Sequence, residues 1–295
     1  MGKPWTDQEL ILLREMTEAG YTAAEIGAKL KRSVYSIESA RRQHGLAQRL
    51  LAAESPLYPG SLRMEGDALI IADPHIPCHD REFIERLVEL ALRWKVKNLG
   101  IAGDLLDFET LTDLDHYADT EVTVTSQIEA ARRILTILGA EFDTIVYCAG
   151  NHERRLLRRL NAVDTMAEAM RLWTPERVQY TDYQWFTAVS GGEAYQVEHP
   201  RNSSVIPTRV AQALAAKYHR SVIAGHGHLW GMTRDVSGRY WAIDSGVVCD
   251  PERLAWGQKA HNTRPQMLQG AVILRDGLPV LLSPEHVASK VFTVR

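Results

Sequence analysis

Five short stretches carry side chains able to hold a metal ion: "DPH" (73–75), "GDLLD" (103–107), "GNHE" (150–153), "EHP" (198–200) and "GHGH" (225–228). Their donors are carboxylate, imidazole and amide oxygen with no thiolate, a set that suits manganese, iron, zinc or nickel alike, manganese being the ion expected. Asp73 and His75 stand two residues apart, as do His226 and His228, so on an extended chain each pair points the same way. Pro74 removes a donor and stiffens the first pair. Gly103, Gly150 and Gly225 precede the polar residues, where a sharp turn off a strand favours a residue without Cβ. One such strand ending is commonly a cap or a turn residue. Five of them in compatible ligand chemistry point to one shared metal site.

The ordered set Asp73-x-His75, Gly103-Asp104-x-x-Asp107, Gly150-Asn151-His152-Glu153, His199 and Gly225-His226-x-His228 resembles the calcineurin-like metallophosphoesterase superfamily. The resemblance spans about residues 67–250 and is specific as a series, each element alone being weak. It implies a four-layer α/β/β/α sandwich with two divalent metal ions at one end. By motif position, Asp73, His75 and His228 would hold one ion, Asn151, His199 and His226 the other, and Asp104 would bridge them. His199 is followed by Pro200 where the family usually has glycine, and His219 in "KYHRSV" is the competing choice. Two ions about 3.5–4 Å apart acidify a water between them and clamp a phosphoryl oxygen, so hydroxide can attack phosphorus without a protein nucleophile. The resemblance makes His152 the proton donor to the leaving oxygen and Asp107 the residue that holds its imidazole. Glu153 fits the same pattern or simply caps the helix it begins.

After Glu153 come Arg154, Arg155, Arg158 and Arg159, opposite Leu156, Leu157 and Leu160. Such a cluster reads either as a solvated helix face paired to acids such as Asp164 and Glu168, or as a binding surface for substrate phosphate. Arg154 and Arg155 are the candidates for the second role. The polar loop "GQKAHNTRPQ" (257–266) has a weaker claim to it.

The elements that must position these groups can be read from the alternation of apolar runs with amphipathic patterns. The runs are "ALIIA" (68–72), "NLGIA" (98–102), "TIVYCA" (144–149), "SVIA" (221–224) and "YWAI" (240–243). Helical periodicity lies around 80–95, 121–139, 152–172 and 207–218. This alternation predicts an α/β layered domain over 65–295, with a hairpin about Asp276-Gly277 near its end.

The first 46 residues read differently, as three short helices. Thr6 with Glu9 and Thr22 with Glu25 form T-x-x-E capping boxes, Ser33 can cap a third helix, and Gly20 and Gly45 are stops. Trp5, Ile26, Leu30, Val34 and Ile37 would form a small core. The segment resembles the Myb/SANT-like and homeodomain-like helix-turn-helix modules, which implies nucleic acid as a partner. Arg32, Tyr35, Ser36, Arg41 and Arg42 are the candidate contacts, with Ser39 and Gln43 beside them. A docking or oligomerisation module is the alternative, and a homo-oligomer stays open. Residues 47–64, with Pro56, Pro59 and Gly60, read as a linker.

Composition sets outer bounds. In 295 residues, 45% hydrophobic and 24% charged content is ordinary for a globular protein. Net charge is −3, yet residues 1–50 carry eight lysines and arginines against six acids, a basic module ahead of an acidic body. Three scattered cysteines suggest neither a disulfide framework nor a zinc ribbon. No run approaches the roughly 20 apolar residues of a membrane span, and no leader-like h-region opens the chain. A cytoplasmic enzyme is the expectation, with no membrane partner. Its expected activity is a DNA or RNA phosphodiesterase. A phosphoprotein or small-nucleotide phosphatase that docks through the helical module is the alternative, and a catalytically dead DNA-binding protein the remote one.

Overall fold

The computed structural model describes residues 4–19, 21–44, 46, 61–112, 122–159, 165–259 and 264–289. The chain divides into two compact units, Met1–Gly60 and Ser61–Arg295.

Among its described residues the first unit holds α1 (Asp7–Glu18), α2 (Ala23–Leu30) and α3 (Val34–Gln43). Both expected capping boxes form: Thr6 and Thr22 accept from the N–H of Glu9 and Glu25, whose carboxylates accept from the threonine N–H groups at 2.9 and 2.7 Å. Ser33 accepts from Ser36 N–H at 3.2 Å and starts α3. Gly20 and Gly45, the expected stops, lie outside the described residues. Leu13, Met16, Ile26, Ile37 and Ala40 are buried together, with Trp5 and Leu30 packed against them. Val34 is not part of this core. It opens α3 with its side chain outward, 46% exposed.

Two of the five candidate nucleic-acid contacts are corrected here. Arg32 has only 7% of its side chain exposed: it pairs with Glu9 at 3.0 Å, donates to the Pro4 carbonyl at 2.6 Å and lies 4.1 Å from the Trp5 ring centroid. Arg41 is buried and donates to Thr17 Oγ1 at 3.1 Å and the Tyr21 carbonyl at 2.7 Å. Both guanidiniums satisfy local acceptors, so they tie the module together instead of facing solvent. Tyr35 and Arg42 are exposed and Ser36 is half-buried, on the same helix.

The second unit is built on two six-stranded sheets. The first has order β12-β11-β2-β3-β4-β5 and the second β1-β6-β7-β8-β10-β9. In the first, β2 (Ala68–Ile71), β3 (Asn98–Ala102), β4 (Thr144–Cys148) and β5 (Val178–Thr181) run parallel. The expected hairpin, β11 (Ala271–Arg275) with β12 (Leu278–Leu282), adds on antiparallel to β2. In the second, β7 (Glu193–Glu198), β8 (Ser221–Ala224) and β10 (Trp241–Ser245) are parallel neighbours. The strands β1 (Arg63–Glu65) and β6 (Trp185–Ser190) lie on one side of that set and β9 (Trp230–Arg234) on the other.

Side-chain alternation explains the layering. Ala68, Ile70 and Ala72 turn toward Phe186, Val197, Ile223 and Ile243 of the other sheet, forming the inter-sheet core. Leu69 and Ile71 turn the opposite way, onto α4 (Arg81–Arg93) and α5 (Val124–Glu141). Phe83, Ile84, Leu87, Leu90 and Ala91 give α4 one apolar face for that contact. On the far side, Ala211 and Ala215 of α8 (Arg209–Tyr218) pack on Val222, Ala224 and Ala242. Helix, sheet, sheet, helix is the resulting order, the four layers expected.

Two boundaries differ from expectation. The linker was expected to run to residue 64, but Met64 is buried in the inter-sheet core and Leu62 accepts from Thr187 N–H at 2.9 Å, because β1 pairs with β6. The helical pattern at 152–172 resolves into α6 (Glu153–Arg159) and α7 (Met166–Met170), with residues 160–164 outside the described set. No described helix is long and apolar enough to cross a membrane.

The inward arginines predict different behaviour for neighbouring positions. Arg41→Ala should weaken the helical unit by about 1–3 kcal/mol, because two acceptors lose their donor. Amide hydrogen exchange across α1–α3 in the full chain should speed up accordingly. Arg42→Ala should leave exchange unchanged and, if the helical unit binds nucleic acid as the sequence leads one to expect, lower the salt slope of that binding by about 1, one phosphate contact. Unchanged exchange in the Arg41 variant would refute its structural role. Salt-independent binding would refute the phosphate contact at Arg42.

Candidate metal centre

Parallel strands place their C-terminal ends on one edge, which is where open α/β sheets put their sites. Asp73 follows β2, Asp104 follows β3, and Asn151 and His152 follow β4. From the second sheet, His199 follows β7 and His226 and His228 follow β8. All seven expected ligands converge. Donor atoms of Asp73, His75 and His228 lie within 4.8 Å of one another, and so do those of Asp104, His199 and His226. A third such group, His75, Asp104 and His152, joins the two. Asp104 belongs to two of the three groups, as a bridging carboxylate should.

The distances suit ions. Ligands held at about 2.0–2.2 Å around one ion stand about 3–3.5 Å apart. His75 Nε2 is 3.3 Å from His228 Nε2, and Asp73 Oδ1 is 3.2 Å from His228 Nε2. On the other side His199 Nε2 is 3.3 Å from Asp104 Oδ2 and 2.9 Å from Asn151 Oδ1. Each carboxylate divides its two oxygens. Asp104 Oδ1 accepts from His152 N–H at 2.8 Å, and Asp73 Oδ2 accepts from His226 N–H at 3.0 Å. That leaves Asp104 Oδ2 and Asp73 Oδ1 facing the imidazoles. Asp73 Oδ1 is fully buried and makes no hydrogen bond among the described residues, an acceptor in want of a cation.

His199 is buried at the centre, with Nδ1 2.9 Å from the Ala102 carbonyl. That contact fixes the ring and leaves Nε2 for the cluster. The competing residue, His219, caps the C-terminus of α8 beside Tyr240 and takes no part in the cluster.

The backbone is not extended at these pairs, contrary to expectation. Asp73, His75, Asp104, His226 and His228 all have left-handed φ, between 46° and 65°. Tight reversals after each strand, and not i,i+2 alternation, aim the pairs. Such conformations cost non-glycine residues about 1–3 kcal/mol each and persist where surrounding contacts over-determine them. The glycines contribute space as well as turns: a Cβ on Gly150 would lie 2.1 Å from Asp104 Oδ1.

Asp107 and His152 meet, though not quite as expected. The imidazole Nδ1 of His152 lies 2.5 Å from the backbone carbonyl of Asp107 and 3.5 Å from its carboxylate. That carboxylate is closer to His75 Nδ1, at 3.2 Å. Asp107 therefore steadies a candidate ligand, His75, with its side chain and the proton donor candidate with its main chain. Arg155 comes to His152 as well, Nη2 to Nε2 at 2.9 Å, and donates to the Asp107 carbonyl at 3.0 Å. Arg154 instead donates to the Asp182 carbonyl at 3.0 Å. Arg159 donates to the Thr112 carbonyl at 2.9 Å, and Glu168, one expected acid partner, caps α7 through Thr165. The other, Asp164, lies outside the described residues.

Glu153 is more than a helix cap. Fully buried, it accepts from the N–H groups of Gly150 at 2.8 Å, Leu106 at 3.1 Å and Asp104 at 3.2 Å, so it clamps two ligand loops together. Its place in "GNHE" was the available signal. Trp256, in α9 (Ala255–Lys259), had none: its Nε1 donates to Asp107 Oδ1 at 3.3 Å.

Charge follows from burial and proximity. Burial opposes a charged His199, but Asp104 and Asp73 outweigh it and raise its pKa to about 10. Burial, then the neighbouring His199, lowers His226 to about 4. Burial also opposes ionisation of Asp104, which the surrounding imidazoles hold well below the ordinary carboxylate range.

No protein-family profile and no curated protein matches the chain. Among solved structures, it is similar to YfcE, a phosphoesterase from E. coli, at 14% identity and TM-score 0.39 over 75% of this chain and 94% of that one. It is also similar to Vps29 from Chaetomium thermophilum, at 11% identity and TM-score 0.41 over 70% and 83%. Vps29 from Entamoeba histolytica, solved in complex with zinc, gives 10% identity and TM-score 0.33 over 73% and 97%. At these values the chemistry has to be read from the site's own residues.

His199 sets the sign of one measurable effect. In the metal-free protein it holds a proton below about pH 10, and a ligand nitrogen must lose that proton. Calorimetric manganese titration near pH 7.5 should therefore release protons, from His199 and from His75, whose pKa is raised as well, and apparent affinity should climb as pH rises. Asp104→Asn should lower bound manganese by at least one ion per chain, while His219→Ala should not change it. Full loading of the Asp104 variant would contradict the shared-ligand assignment.

Proposed function

We propose that the second unit is a dinuclear-metal-dependent phosphoesterase. The observation that carries this is the convergence of Asp73, His75 and His228 with Asn151, His199 and His226 around one shared carboxylate, Asp104, with His152 on the rim. Manganese or a similar divalent ion would be held by these residues and would supply Lewis acidity and an acidified water for attack on phosphorus.

The chain's own groups account for the remaining needs. The Asp107 carbonyl fixes His152 through Nδ1 and leaves Nε2 toward the cluster, 3.7 Å from Asp104 Oδ2. Burial, assisted by His75 and Arg155, lowers the pKa of His152. A proton carried there is released readily to a leaving alkoxide. A phosphate ester arriving beside the ring adds negative charge, which favours the protonated imidazole. The same phosphate competes for the Arg155 N–H now given to Nε2, which frees that nitrogen to act. Arg155 thus orients substrate and proton donor together. Arg154, with Arg201, Asp182 and Glu153 as its charged neighbours, adds a second candidate cation.

Nucleic-acid phosphodiesters are the substrate class we favour, on the exposed Tyr35 and Arg42 with Ser36 beside them on the helical unit. A phosphatase acting on phosphoprotein or small nucleotides is the second reading, favoured by the inward turn of Arg32 and Arg41. A panel of manganese-loaded assays with single- and double-stranded DNA, RNA, cyclic nucleotides and nitrophenyl mono- and diesters separates them.

The proton-donor assignment has its own test. His152→Ala should keep its metal yet slow esters with alkyl leaving groups by about 10²–10⁴-fold. Nitrophenolate needs little protonation, so its release should suffer less. Equal losses on both classes, with metal retained, would overturn the assignment, and absence of any turnover in the panel would overturn the phosphoesterase reading.

A further inference from the structure

Beside the metal cluster a cavity of about 840 Å³ opens, bordered by His228, Trp256, Ser203, Ser204, Gln266 and Met267. Small-molecule sites commonly measure about 300–1,000 Å³, so the space exceeds what a phosphate alone requires. Nothing in the chemistry described so far uses it.

Trp256 is the distinctive part of that wall. Its N–H to Asp107 fixes the indole against the rim of the site. The ring centroid lies 5.7 Å from that of His228, 6.0 Å from His75 and 6.4 Å from His152. The indole remains partly exposed, on the cavity side. Its base is firm: Leu254, just ahead of α9, is fully buried with Val247 and Cys249. A flat aromatic surface, its centroid 5.7–6.4 Å from three imidazoles of the cluster, is placed to receive a planar group attached to a phosphate bound there.

The charges around it narrow the choice. Among the described residues that line the cavity, Asp250 and Glu252 outnumber the one arginine, Arg264, so a polyphosphate tail directed into it would meet net negative charge. A neutral aromatic substituent meets no such opposition. Serine hydroxyls and the Gln266 amide offer both donors and acceptors to its edge. From this we infer that the cavity is a nucleoside subsite, with Trp256 stacking on the base of a nucleotide ester whose phosphate sits at the metal cluster. The inference rests on the phosphoesterase reading and names its substrate class more closely. Trp256 is then a specificity residue.

Base-on-aromatic stacking contributes enough to change affinity about 5–150-fold. The test compares kcat/KM of the manganese-loaded full chain on thymidine 5′-(p-nitrophenyl phosphate) and on methyl p-nitrophenyl phosphate. Both release nitrophenolate and differ only in the retained substituent. The wild type should prefer the nucleotide ester by about that factor. Trp256→Phe loses the N–H to Asp107 but keeps an aromatic face, so it should retain most of the preference whatever its rate. Trp256→Leu should lose the preference. If Trp256 acts only by holding Asp107, both variants will slow the two esters alike and leave the ratio at the wild-type value, which overturns the inference. A wild type that hydrolyses both esters without preference overturns it too, and leaves the phosphoesterase reading intact. If neither ester is hydrolysed, that reading falls and the subsite falls with it.

Discussion

Two buried carboxylates, Asp73 and Asp104, must keep their charge without water, and the surrounding structure is arranged to let them. Taking a carboxylate out of water carries a penalty of several kcal/mol unless hydrogen bonds and positive charge compensate. Each gives one oxygen to a backbone N–H of a neighbouring loop, Asp104 to His152 and Asp73 to His226. Each keeps the other oxygen among imidazoles. The first contact joins the loops after β3 and β4. The second joins the two sheets. Cluster and fold therefore hold each other in place, and the same two carboxylates raise the pKa of His199.

That arrangement explains why strained backbone is tolerated where it occurs. Five candidate ligand residues adopt left-handed φ, a conformation that unrestrained non-glycine residues avoid. Glu153 takes three backbone N–H groups from the two loops that carry Asp104 and Asn151, which removes their freedom to relax. Gly150 lets Asp104 come closer than a side chain would permit. The inter-sheet core behind, from Ala72 and Cys148 to Ile223, fixes the strands from which these loops depart. Directional hydrogen bonds and close packing thus hold the donors in place before any ligand arrives.

Much of the site was legible because its donors sit at strand ends in short, chemically distinctive strings. Asp73, His75, Asp104, Asn151, His199, His226 and His228 all converge; the apolar runs alternating with amphipathic helices gave a layered α/β domain, and the count of four layers came from the family resemblance. The contributions that escaped the sequence depend on distance in space. Trp256 lies 149 residues from Asp107, its partner. Arg32, in the turn before α3, and Arg41, on α3, looked like surface cations because basic residues in such a turn or on such a short helix usually are. Their acceptors, the Pro4 carbonyl, Glu9, Thr17 and the Tyr21 carbonyl, lie on α1 or just beyond its ends, 20–28 residues away in the chain. Left-handed φ at Asp73 and His228 leaves no mark in residue type, since aspartate and histidine serve equally well in ordinary turns. The edge strand β1 was hidden by its shortness, with Met64 its single buried side chain.

The central claim is that one shared carboxylate holds two ions side by side. Electron paramagnetic resonance of the full chain, titrated with manganese, tests it most directly. As the second ion enters, spectra should change from an isolated manganese signal to the exchange-coupled signal expected of ions about 3.5–4 Å apart. Saturation with only an isolated, uncoupled signal would contradict a shared site.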